Sequence, residues 1–108
     1  MRPIHAYNYS PHTKKKEKGE IQFDDWVDIF RALGNRYRLK IFLAVSKNPG
    51  ITLDQINQIV GGEFRNISAH TKKLMHTGLI EKGYKGTYVQ HQLTPLGKKV
   101  AKIVKRLF

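Results

Sequence analysis

No part of this chain constrains its fold more than the stretch from Thr52 to Gln92. Thr52 and Gln55 have the T-x-x-Q spacing of a capping box, which predicts a short helix over Leu53–Val60. Gly61-Gly62 follows, a pair that permits a sharp chain reversal because glycine tolerates positive φ. Glu63–Thr77 then reads as a second helix, with Phe64, Ile67, Thr71 and Leu74 along one side and a polar, basic remainder. Gly78 is its expected C-cap. Leu79–Tyr84 and Thr87–Gln92 read as two strands around a turn at Lys85-Gly86. Helix, turn, helix and hairpin in that order make a helix-turn-helix with a wing.

The flanks support the same architecture. Phe23, Trp26, Val27, Phe30 and Leu33 form one apolar stripe of a helix starting after Ile21. Asp24, Asp25 and Asp28 crowd its first turns, where acidic groups complement the positive helix end; no other catalytic group accompanies them. Gly34 ends this helix, and Asn35 caps the next, which runs to about Ser46 with Leu39, Ile41, Phe42 and Val45 on its buried side. Asn48-Pro49-Gly50 is a turn. Thr94-Pro95 opens a last helix, with Leu96, Val100, Ile103, Val104 and Leu107 as its stripe and five cations elsewhere. The expected fold is mainly α with a small β-hairpin (α+β): four helices, two strands, a fifth helix. Residues 1–20 lack periodicity, hold two of the four prolines and contain KKKEK, and are expected to be a flexible basic arm before one domain over residues 21–108.

Charge narrows the partner. The net charge is +12, and residues 63–108 hold ten basic against two acidic residues, a net +8. An excess placed on the second helix of the motif, the wing and the last helix points to a polyanion, most simply nucleic acid. The chain has no cysteine, so disulfides, thiolate metal sites and a Cys nucleophile are excluded. Its longest apolar run is Ile41–Val45, too short for a membrane span, and a cytoplasmic, nucleoid-associated protein without cofactor is expected. No nucleophile–base set or phosphate-cradling loop is visible, which argues against an enzyme.

Over roughly residues 23–107 the chain resembles winged-helix transcription regulators of the ArsR type. Ala32–Phe42 (ALGNRYRLKIF) is similar to the family's "AL-x-D-P-x-R-x-x-IL", Asn66–Leu74 (NISAHTKKL) to its "T-V-S-x-H-L-x-x-L" reading helix, and Met75–Lys82 to its "L-x-x-A-G-L-V" passage into the wing. Leu93–Gly97 matches an "LT-x-x-G" start shared with MarR- and PadR-type relatives. Asn35-Arg36 replaces the usual Asp-Pro, and Thr71 stands where leucine is common. The family's metal sensors use cysteines before the reading helix, or His and acidic ligands on the last helix. This chain has no cysteine, and Thr94–Phe108 holds no His, Asp or Glu. The resemblance therefore implies double-stranded DNA binding and homodimerisation, most often as a repressor, and not metal sensing; an effector is not implied.

Docked as in the family, the helix over residues 63–77 enters the major groove. Arg65, Asn66, Ser68, Ala69 and Lys73 are then the base-reading candidates, Arg suiting guanine and Asn suiting adenine in bidentate geometry. Tyr37, Arg38, His70 and Lys72 are candidates for the backbone, as are Lys82, Tyr84 and Lys85 near the wing tip. For Arg38 an internal salt bridge to an aspartate of the first helix is an open alternative. His70 and His76 lie about 120° apart around a helix and cannot chelate one metal together; His5, His12 and His91 lie elsewhere, and no metal site is expected. Phe23, Trp26, Val27 and Phe30 with Val100, Val104 and Leu107 are the expected dimer seam. A module that binds protein or RNA in a larger complex, and a sequence-indifferent chromatin-type protein, remain the competing readings.

Overall fold

The computed structural model describes residues 20–108, so that all but Glu20 of the expected basic arm lies outside the described residues. The elements are α1 (Phe23–Leu33), α2 (Arg36–Lys47), α3 (Leu53–Val60), α4 (Phe64–His76), β1 (Ile80–Lys85), β2 (Tyr88–Leu93) and α5 (Pro95–Lys105). This is the expected order. Local chemistry starts most of the helices, α4 being the one without a capping side chain. The Asp25 carboxylate accepts from Gln22 N–H at 2.9 Å at the head of α1. Asn35 Oδ1 accepts from the amides of Tyr37 (3.0 Å) and Arg38 (3.1 Å), so asparagine fills the role of an N-cap aspartate. Thr52 and Gln55 form the reciprocal capping box at α3.

The core is built around α2, which packs against α1, α3, α4, α5 and β2. Its Ile41, Phe42 and Val45 are completely buried, and Ile29, Ile56, Ile67, Leu74, Leu79 and Val100 converge on them. The hairpin pairs antiparallel from Ile80↔Leu93 to Lys85↔Tyr88. Its two-residue turn is therefore Gly86-Thr87, one step beyond the expected Lys85-Gly86. Gly86 has φ +60, the sign that a primed turn demands at its first central position. Both strands shift by one residue accordingly. The hairpin is not left as a lone pair, because Ile51 bridges to His91 and so adds a third backbone contact at its root.

The α1 stripe of the expected seam faces outward: Phe23, Val27 and Phe30 are exposed, Phe30 by 70%, while Ile29 and Ala32 meet the core. Three placements differ from the sequence reading. Trp26 is half-buried against the protomer's own core. On α5, Val100 is buried with Ala101 in that core and Val104 packs against it, so Val100 is not part of an outer seam. The exposed apolar residues there are Ile103, Leu107 and Phe108. Phe64, expected on the buried side of α4, is 45% exposed at the first residue of the helix, a turn before the buried stripe begins at Ile67.

Gly97 explains the "LT-x-x-G" spacing. Thr94 Oγ1 caps α5 by accepting from Gly97 N–H at 2.9 Å, which fixes the helix over the start of β1. A Cβ built on Gly97 would lie 2.1 Å from the Leu79 carbonyl oxygen, a contact with backbone that no rotamer relieves. Gly97→Ala is expected to destabilise the fold by about 3 kcal/mol, the upper range for overpacking a closed site. Urea denaturation checks this, and a loss below about 1 kcal/mol would show that α5 can lift off β1 freely.

Candidate nucleic-acid interface

Helix α4 is held by one narrow stripe. Ile67, Thr71 and Leu74 are buried, at the i, i+4 and i+7 spacing of a single helical face. Thr71 is tolerated there because its hydroxyl donates to the Ile67 carbonyl at 2.8 Å, leaving no unsatisfied polar atom and turning its methyl to the core. The turn before α4 is equally determined. Gly61 and Gly62 have φ +80 and +96, and Asn57 Nδ2 donates to the Gly62 carbonyl at 3.0 Å. At Gly62 a Cβ would press the Tyr37 ring at 3.4 Å, so glycine is demanded by packing as well as by φ.

With that stripe buried, Arg65, Asn66, Ala69, Lys72, Lys73 and His76 are all exposed. Four of the five base-reading candidates thus share the outward side of α4. Ser68 departs from them: it is half-buried, on the flank of the helix.

Tyr37, Arg38 and His70 form one cluster beside this face. The Tyr37 and His70 rings stack nearly parallel, 5.7 Å apart at 7°. Arg38 Nε donates to the Ala32 carbonyl at 2.7 Å, and its Nη1 lies 3.3 Å from His70 Nδ1. Arginine has no acceptor, so Nδ1 must be the unprotonated nitrogen, and the neutral ring carries its proton on Nε2. The Arg38 guanidinium joins the last turn of α1 to α4 through these two bonds, and no salt bridge to an α1 aspartate accompanies them among the described residues. Burial, and then the positive charges of Arg38 and Lys73, hold the His70 pKa below its ordinary value. His70 therefore offers a neutral N–H, not a cation.

The wing carries the remaining candidates. By strand alternation, Lys82 and Tyr84 lie on one face of the hairpin and Lys85 on the other. Tyr88, opposite Lys85 and 68% exposed, joins it on that face. The sequence reading missed Tyr88; an aromatic next to a turn and paired with a lysine was the available signal. At the root, His91 N–H donates to the Ile51 carbonyl at 2.8 Å and His91 Nδ1–H to the same oxygen at 3.1 Å. Gly50 N–H returns a bond to the His91 carbonyl at 2.9 Å. Burial lowers the His91 pKa; the Ile51 hydrogen bond opposes this and Lys82 adds to it. Among the described residues no group of three or more His, Cys, Asp or Glu side chains gathers as metal ligands do. No described helix is long and apolar enough to cross a membrane.

No protein-family model matches the chain, and no curated protein matches it. Solved structures do. The homodimeric winged helix-turn-helix DNA-binding domain of Mb0332 from Mycobacterium bovis, described as a possible ArsR-family transcriptional regulator, superposes with TM-score 0.72 at 20% identity, covering 89% of this chain and 88% of that one. HlyU from Vibrio cholerae N16961 gives TM-score 0.70 at 20% identity over 79% of this chain and 92% of its own. The transcriptional repressor BigR from Xylella fastidiosa gives 0.70 at 14% identity over 79% and 84%. The chain has the winged helix-turn-helix fold these proteins share.

Both His70 and His91 are held neutral by the fold, whereas an unfolded chain protonates them near 6.5. As pH falls through that value, the unfolded state binds more protons than the native state, so these two groups lower stability progressively. Above it they contribute no slope. Stability to urea is expected to fall between pH 7 and pH 5, with both imidazoles titrating below the usual range in NMR. Native titration at or above that range would contradict the assignment.

Proposed function

We propose that this protein is a homodimeric, sequence-specific double-stranded DNA-binding transcription regulator, acting as a repressor, that inserts α4 in the major groove. One observation carries this reading. The only buried side of α4 is Ile67–Thr71–Leu74, which leaves a continuous exposed face with Arg65, Asn66, Lys72 and Lys73 beside a wing bearing Lys82, Lys85 and two exposed tyrosines. A helix presented on a rigid support, with cations around it, matches the major groove in shape and sign. Arg65, Asn66, Ala69 and Lys73 are the base readers in this reading, with Ser68 at the edge. Tyr37, Lys72, Lys82, Tyr84 and Lys85 approach phosphates, and His70 donates through Nε2–H. The fold-mates described as transcription regulators, one of them a homodimer, support it by analogy.

Homodimerisation rests on the outward apolar residues. Phe23, Val27 and Phe30 of α1 and Ile103, Leu107 and Phe108 at the end of α5 are all exposed, and large exposed apolar groups gathered on two helices mark an interface. Two-fold pairing through them presents two copies of α4 to two half-sites.

The reading helix separates two classes of variant. Arg65→Ala or Asn66→Ala is expected to cost about 1–3 kcal/mol on the preferred duplex and to relax preference at one base position. Lys72→Ala or Lys85→Ala is expected to weaken all duplexes alike and to flatten the salt dependence by about one phosphate contact per subunit. Equal losses on preferred and random duplexes for Arg65→Ala would favour the sequence-indifferent alternative. Selection from random duplexes supplies the preferred site.

The dimer is tested apart from DNA. The wild type is expected to sediment as a dimer at micromolar concentration, and Phe30→Glu with Leu107→Glu to give folded monomers with weak DNA binding. A wild-type monomer would overturn the two-fold arrangement.

A further inference from the structure

The wing tip holds two aromatic rings that the packing of the fold does not use. Tyr84 and Tyr88 flank the Gly86-Thr87 turn and are 75% and 68% exposed. Strand alternation puts them on opposite faces of the hairpin, since Tyr84 pairs with Val89 and Tyr88 with Lys85. Each ring shares its face with an exposed lysine. Lys82 lies two residues before Tyr84, about 7 Å along the strand. Lys85 is the direct cross-strand neighbour of Tyr88, which puts their Cβ atoms about 5 Å apart. The two faces of the tip therefore repeat one unit, a ring with an ammonium beside it. Glu81 is the only acidic residue of the hairpin. It accepts a hydrogen bond from Gln92 Nε2 at 3.0 Å near the root, about 13 Å along β1 from Lys85.

A lysine answers a phosphate, whereas a ring answers a base, because every base has a π-face on which an aromatic side chain can stack. In a nucleotide these two groups are separated by one sugar, which suits the ring-to-ammonium spacing on each face of the tip. In an intact duplex the faces of the bases are covered by their neighbours, and the tyrosines can reach only the backbone. We propose that the wing tip binds unpaired bases of single-stranded DNA, one base stacked on Tyr84 and one on Tyr88, with Lys82 and Lys85 at the adjoining phosphates. Because the rings lie on opposite faces, the tip fits between two parted strands. The Ile51–His91 bridge fixes the hairpin root and so holds both rings on one support. This site lies outside α4 and goes beyond the duplex reading.

The test uses the full chain with two probes of equal charge, a twelve-nucleotide thymidine strand and a strand of the same length built from abasic sites. The thymidine strand is expected to bind about tenfold more tightly, with saturable backbone amide shifts at Tyr84, Lys85 and Tyr88 in NMR. Equal binding of the two strands would overturn the proposal, as would shifts confined to α4. Two pairs of variants separate the ring from the hydroxyl. Tyr84→Thr and Tyr88→Thr keep strand propensity and a hydroxyl but lose the ring, and each is expected to weaken the thymidine strand roughly five- to tenfold while leaving the abasic strand unchanged. Tyr84→Phe and Tyr88→Phe keep the ring, and each is expected to bind the thymidine strand as the wild type does. If the Phe variants lose as much as the Thr variants, the hydroxyls are touching phosphate and the stacking site is wrong. If the thymidine strand binds as expected and no duplex is preferred over another, the sequence-specific reading of α4 fails while the wing site stands.

Discussion

Arg38 is the joint on which the arrangement of helices depends. Its backbone N–H is fixed by the Asn35 cap at 3.1 Å, its Nε by the Ala32 carbonyl at 2.7 Å, and its Nη1 by His70 at 3.3 Å. One side chain therefore ties the end of α1, the start of α2 and the middle of α4 together. Charge-assisted bonds to a main-chain carbonyl and an imidazole are stronger than neutral ones and direction-specific. They set the angle at which α4 leaves the core. Lysine would keep the charge and lose the planar fork that reaches two acceptors at once.

The two helices farthest apart in sequence share a design. Each of α1 and α5 has a core side, a second apolar side turned outward, and a charged side. On α1 these are Ile29 with Ala32, then Phe23 with Val27 and Phe30, then the aspartates. On α5 they are Val100 with Ala101, then Ile103 with Leu107, then the lysines. The outward apolar sides are unprofitable for a monomer in water, each exposed methylene forgoing about 0.8 kcal/mol of transfer free energy. The opposite signs of the charged sides keep the acidic residues on α1 and the basic ones on α4, α5 and the wing, where a polyanion would meet them.

Much of this was legible in the sequence because it is written in local chemistry. Capping residues at Asn35, Thr52 and Thr94, the Gly61-Gly62 reversal and the alternation of the wing each act within a few residues, so element order and helix starts follow from reading along the chain. The faces were less legible. Periodicity identifies Phe23, Val27 and Phe30 as an apolar stripe, yet Ile29 and Ala32 form another on the same helix. Only packing against α2 decides which one is buried. Val100 was misplaced for the same reason, lying one turn from truly exposed neighbours. The partners of Arg38 lie six residues back and 32 ahead, beyond any local pattern. On α4 the exposed candidates follow from the buried stripe, whereas the base each would touch depends on the docking angle, a property of two molecules rather than one.

The Ile51–His91 bridge at the root of the wing has a consequence for the thermodynamics of recognition. An isolated two-stranded hairpin is marginal in water and would have to order itself on its target. Here the α2–α3 loop grips β2 through three hydrogen bonds, so the ordering entropy of the wing root is met during folding and not during association. If the protein binds DNA as proposed above, association is expected to proceed as rigid docking, with a heat-capacity change set by the area buried and no added contribution from folding coupled to binding.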